Sequence, residues 1–126
     1  MPFIQLETNI KVEDSKTLVT KLSKLSSRLL GRPESLILVK YTHNEALCFD
    51  GTFEPAFCLQ AASLGDFSPE KNPGLIAEYT AFLKENLPGA DDKRGFVVFH
   101  DPGPDSIGFT GTTIAQLLKK AKEGSQ

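Results

Sequence analysis

Pro2, directly after Met1, has the most distinctive chemistry available to this chain. A small second residue invites removal of the initiator Met, which would leave Pro2 with a free secondary amine. No other residue type gives a protein that group. It is a base and a nucleophile, and the residues that follow fix its position. Held against an apolar pocket, its ammonium form is disfavoured and its pKa falls toward neutrality. A general base works best with a pKa near the working pH, so the chemistry to expect is proton transfer. On those two residues alone, Met-Pro is simply how a chain begins.

The remaining reactive side chains form no rival centre. His43 and His100 are isolated, without Cys, Asp or Glu at ligand spacing, so neither a metal nor a cofactor is expected. Cys48 and Cys58 read as reduced thiols in strands, since a small disulfide scaffold would carry more cysteines at denser spacing. Cys58 in particular reads as a small buried hydrophobe. Asp91-Asp92-Lys93-Arg94 reads as a solvated turn.

The elements that must position Pro2 follow it at once. Residues 3–8 alternate apolar and polar, the pattern of a strand. Asp14 or Ser15 can cap a helix whose stripe is Leu18, Leu22, Leu25 and Leu29. Gly31 and Pro33 end it. Residues 36–41 form a nearly continuous apolar run, as in a strand buried on both faces. A short strand is expected at 46–49, before the Asp50-Gly51 turn. The order then repeats. Residues 57–64 read as a strand. Asn72 caps a second helix with Pro73 at its first position, and Leu75, Ile76, Tyr79, Phe82, Leu83 and Leu87 give its stripe. Residues 96–100 read as another buried strand.

Two strand-helix-strand units predict an α+β fold, a two-layer sandwich of a four-stranded mixed sheet with two helices on one face. The other face would be bare, and oligomerisation is the expected way to cover it. Beyond a Pro- and Gly-containing loop, Ile107-Gly108-Phe109 suggests one more short strand. Thr112 or Thr113 can cap a final amphipathic helix, so residues 113–126 read as a helical extension of a single domain spanning 1–126.

Composition narrows the class. The 126 residues are 40% hydrophobic and 24% charged, the balance of a soluble globular domain with enough chain for a core. A net charge of −2 gives no electrostatic footprint for nucleic acid or anionic membrane. No apolar stretch is long enough to span a bilayer, and no secretory signal is apparent, so a cytoplasmic protein is expected.

The set of residues spread along the chain resembles the macrophage migration inhibitory factor and D-dopachrome tautomerase family. The matching residues are Met1-Pro2-Phe3-Ile4 with Thr8-Asn9, Gly31-Arg32-Pro33, Phe49 with Gly51 and Glu54-Pro55, Ser63-Leu64-Gly65, Asn72, and Ile107-Gly108-Phe109 with Thr112. The resemblance implies a homotrimer whose sheets face inward as a barrel, with active sites between subunits. It also implies a cofactor-free keto–enol tautomerase for aromatic 2-oxo acids such as phenylpyruvate, or for dopachrome-like compounds. Pro2 matches the family's base. Arg32 stands where the family usually has Lys, and would pair with the substrate carboxylate and help lower the amine's pKa. Without Pro2, Arg32 reads as a solvated cation near a helix C-terminus. Ser63 and Leu64 match ligand-contacting positions, and Leu64 otherwise reads as core.

Departures from the pattern imply weak or altered activity. Phe96 replaces a Tyr and Val98 an Asn, both normally supplied to the pocket by the neighbouring subunit. Phe109 keeps the aromatic character of the pocket mouth and Ile114 does not. The family's Cys-x-x-Cys redox pair is incomplete here, because Pro55 stands where its first thiol would be. The resemblance also carries a second role, a cytokine-like protein that leaves cells without a signal peptide to meet a receptor or host protein. A third reading is a binding module with a vestigial pocket.

Overall fold

Alternating burial along the first strand sets the two faces of the sheet. The computed structural model describes residues 1–124. In β1 (Phe3–Thr8), Ile4, Leu6 and Thr8 are buried while Phe3, Gln5 and Glu7 point the other way. The chain then forms α1 (Ser15–Leu30), β2 (Leu38–His43), β3 (Phe57–Ala62), α2 (Asn72–Asn86) and β4 (Gly95–His100). The strand order is β2-β1-β3-β4. β1 runs parallel to β2 and antiparallel to β3, and β3 runs parallel to β4. The two strand-helix-strand units therefore meet at the central antiparallel pair, in a mixed four-stranded sheet.

The core lies between that sheet and the helices. Ile4, Leu6, Leu59 and Ala61 pack with Leu18, Leu22, Leu30, Tyr79, Leu83 and Leu87. Asp14 caps α1 by accepting the Thr17 N–H (3.1 Å). The buried line of α1 is Leu18, Leu22, Ser26 and Leu30, with Leu25 and Leu29 half-buried beside it. Ser26 is tolerated there because the Tyr79 hydroxyl donates to its Oγ (2.9 Å), which joins the two helices.

Several local expectations are corrected. β2 and β4 are not buried on both faces. They are the sheet edges and alternate in exposure, with Leu38 at 60%, Phe96 at 64% and Val98 at 47%. An apolar run looks the same locally whether one face or two will be covered. No strand forms at 46–49. Phe49 pairs only with Thr52 across a turn in which Asp50 and Gly51 both have positive φ. Cys48 therefore lies in an exposed loop rather than a strand, and Cys58 is half-buried on the open sheet face; both are free thiols. Asn72 does not cap α2. It is the first helical residue, and its side chain accepts the Ser68 N–H (3.1 Å).

The chain ends in a β-hairpin, β5 (Gly108–Phe109) with β6 (Thr112–Thr113), followed by α3 (Ile114–Gly124). Thr113 Oγ1 accepts the Gln116 N–H and so caps α3. None of the α3 residues is buried. The last two positions of the expected 113–126 extension lie outside the described residues.

Candidate active site

The start of the chain is gripped from both sides. Phe3 stands opposite Leu38 of β2 and Ala62 of β3. One residue earlier, Pro2 accepts the Leu38 N–H at its carbonyl (3.0 Å), and its ring is fully buried. A cavity of about 600 Å³ opens at this end of the sheet. Met1 and Pro2 lie in its lining, and Phe3, Leu36, Leu38, Ile107 and Phe109 give it apolar walls. Such a volume and character suit a small aromatic molecule. Leu36 reaches the wall because Gly31 ends α1 in the left-handed conformation (φ 65°), extended Pro33 follows, and a 3₁₀ turn spans Glu34–Leu36.

Beside the chain start lies a polar cluster. The Arg32 guanidinium donates from Nε to both Asp66 oxygens (3.2 Å each), and from Nη2 to Asp66 Oδ1 (2.8 Å) and the Leu64 carbonyl (3.0 Å). The Ser63 hydroxyl donates to the other oxygen of Asp66. Ser63 is fixed in turn by its N–H on the His100 carbonyl (3.1 Å). The Asp66 side chain is 9% exposed and that of Arg32 39%. Asp66 raises the pKa of Arg32 by its hydrogen bonds and its charge, against a smaller effect of burial.

This cluster acts on the chain start. The Met1 amine is held below the ordinary α-amino range, first by burial and second by the Arg32 cation, while the Asp66 carboxylate pulls the other way. Burial is thus the larger influence, and the help expected from Arg32 is partly cancelled by Asp66.

The residues singled out from the sequence fall into separate groups. Pro2 and Phe109 line the cavity. Arg32 and Ser63 are joined through Asp66, the Leu64 carbonyl accepts directly from Arg32, and none of the three is among the lining residues. Phe96 and Val98 project from edge strand β4 on the open sheet face, and the Phe96 ring lies 5.7 Å from that of Phe49. Ile114 begins α3, with its N–H on the Ile107 carbonyl (2.8 Å), and is not in the lining. Among the described residues, no group of His, Cys, Asp and Glu could hold a metal ion.

Two residues of the site were not foreseen. Asp66 is the buried partner of Arg32, 34 positions further on, and no local pattern announces such a pair. His100 is the one ionisable side chain among the described lining residues, placed there by the alternation of β4 and its register with Ala62. The apolar run of residues 96–99 hides that alternation, so no local signal announced it.

Comparison with known proteins agrees with the fold. The family model of macrophage migration inhibitory factor (MIF) matches residues 1–115. The MIF-like protein mif-2 of Caenorhabditis elegans is 31% identical over 121 residues, covering 95% of this chain and 100% of its own. A D-dopachrome decarboxylase of Gallus gallus is 30% identical over 119 residues, covering 93% and 100%. The structure of the macrophage migration inhibitory factor from Trichinella spiralis superposes with a TM-score of 0.82 at 28% identity, covering 88% of this chain and 98% of that one. A sheet that buries Pro2 at the head of its central strand, and a match running from there through the β-hairpin, place this chain in the macrophage migration inhibitory factor family.

Proposed function

We propose that this protein is a cofactor-free keto–enol tautomerase for aromatic 2-oxo acids and related carbonyl compounds, with Pro2 as its base once Met1 is removed. The observation that carries the reading is the burial of Pro2 in the lining of an apolar cavity, in surroundings that lower the pKa of an amine. A neutral imino nitrogen there takes the enol O–H proton of the substrate and returns a proton to the adjacent carbon, which closes the carbonyl and leaves the base as it began. The aromatic ring of the substrate packs against the apolar walls. The Gallus gallus relative, named for D-dopachrome, supports an aromatic substrate.

Assembly belongs to the same reading. Phe96 and Val98 lie exposed on an edge strand, and in a trimer they would approach the cavity of a neighbouring copy. The hydrogen-bond donors that Tyr and Asn would have offered are absent at these positions, so turnover should be slow.

The test is ketonisation of the phenylpyruvate enol and of its methyl ester by mature protein and by Pro2→Gly. A fall of ~10²–10⁴-fold is expected in the variant. Unchanged turnover of both compounds would remove Pro2 from the mechanism.

A second reading, a cytokine-like role outside the cell, is favoured by the Trichuris trichiura relative, 32% identical and named a macrophage migration inhibitory factor homolog. Migration of macrophages exposed to native protein and to Pro2→Gly separates the two, since a signalling role independent of the pocket would survive the substitution.

A further inference from the structure

The family resemblance implies that Arg32 receives the substrate carboxylate, but a carboxylate of the chain itself already occupies it. Asp66 meets the guanidinium along its Nε–Nη2 edge, the side an incoming carboxylate uses for a paired contact. The second Nη2 hydrogen is spent on the Leu64 carbonyl, which leaves Nη1 without a partner among the described residues. Asp66 is nine-tenths buried and is held from behind by the Ser63 hydroxyl. Displacing it would strand a buried carboxylate, an outcome a substrate anion in water cannot easily repay. Arg32 itself is not among the described lining residues of the cavity, whose walls are apolar and whose one ionisable side chain is His100.

We infer that Asp66 is a specificity-determining residue, which neutralises Arg32 from within and turns the site from 2-oxo acids toward their uncharged counterparts: aryl 2-oxo esters and other neutral enolisable aryl carbonyl compounds. The inference rests on the tautomerase reading for its chemistry, but it concerns only which charge state the site accepts. A positive site selects an anion; a guanidinium already paired offers Nη1 alone, on a cation whose field is partly cancelled nearby. An apolar cavity meanwhile imposes a much larger desolvation cost on a bound carboxylate than on an ester. The opposing influences of Arg32 and Asp66 on the chain-start amine show the same cancellation.

The experiment compares kcat/KM for phenylpyruvate enol and its methyl ester in native protein, Asp66→Asn, Arg32→Gln and the double variant. Native protein is expected to use the ester at least as well as the acid. Asp66→Asn, which keeps the shape and removes the charge, should raise the acid-to-ester ratio by at least about tenfold. The double variant, which removes both charges, should lose that gain and return to within about twofold of the native ratio, while Arg32→Gln alone leaves Asp66 uncompensated and should lower the ratio. A native preference for the acid of tenfold or more would overturn the inference, as would an unchanged ratio in folded Asp66→Asn. If Asp66→Asn alone does not fold, the native ratio and the double variant decide, and a tenfold drop in the ratio for the double variant would overturn the inference. If neither compound is turned over, the tautomerase reading has failed. Calorimetric binding of acid and ester to native protein then decides this inference separately: tighter ester binding supports it, while tenfold tighter acid binding, or binding of neither, overturns it.

Discussion

A base must be neutral to accept a proton, so the pKa at the chain start governs when this protein can work. Burial and Arg32 lower the amine pKa at Met1, and the same surroundings would act on the amine of Pro2 after Met1 is removed. The sign is clear: below its pKa the amine is protonated and idle, and activity rises as pH rises through that value. Because the value is depressed, the rising limb of kcat/KM should fall below the ordinary α-amino range of about 8. Asp66→Asn removes the one opposing influence and should move the limb further down, whereas Arg32→Gln should move it up. A pH–rate profile of the three proteins checks this, and coincident limbs would exclude any electrostatic link to the cluster. The sequence exposed Pro2 because proline in that place has one distinctive chemistry. It concealed the state of Arg32, whose role depends on a carboxylate 34 positions away and on the loop that folds it back.

Elements were more legible than their surroundings. Leu spacing in α1 and alternation in β1 and β3 follow from geometry that acts within a few residues. Whether a strand ends at an edge depends on pairings far along the chain, which is why the runs at 36–41 and 96–100 looked doubly buried. Asn72 shows the same limit, since Ser68 draws its side chain into the preceding loop. Two contacts between elements invite measurement. Tyr79→Phe removes the buried hydrogen bond between α2 and α1 without changing packing, and should cost about 1–2 kcal/mol. Urea unfolding should show a lower midpoint with an unchanged slope. Gly95 begins β4 where a Cβ would stand 2.5 Å from the Phe57 carbonyl oxygen and 2.6 Å from its ring. Gly95→Ala should therefore destabilise the fold by about 1–3 kcal/mol, because backbone and a buried ring must both move. Stability within a few tenths of native would contradict the close β3–β4 approach.

At the scale of the molecule, the sheet face left bare by the two strand-helix-strand units is mixed in character. Its central strands carry Gln5, Glu7 and Gln60, with Lys40 on edge strand β2, while the exposed apolar side chains of this face, Leu38, Phe96 and Val98, stand on the edge strands. A polar centre can stay wet; apolar edges with unpaired backbone groups need neighbours. Such a distribution supports the proposed trimer, with copies joined at their sheet edges. Light scattering should report a trimer, and Val98→Asp should shift it toward monomer and reduce turnover in step; a native monomer with full activity would contradict this arrangement. Every scale of the account leads back to one nitrogen at the head of β1. Its most direct test is a ¹⁵N NMR titration of the Pro2 nitrogen in mature protein. The account predicts an amine that titrates below the ordinary range and is substantially neutral at pH 7. A nitrogen fully protonated through neutrality, or one that is an amide because Met1 is still attached, would contradict it.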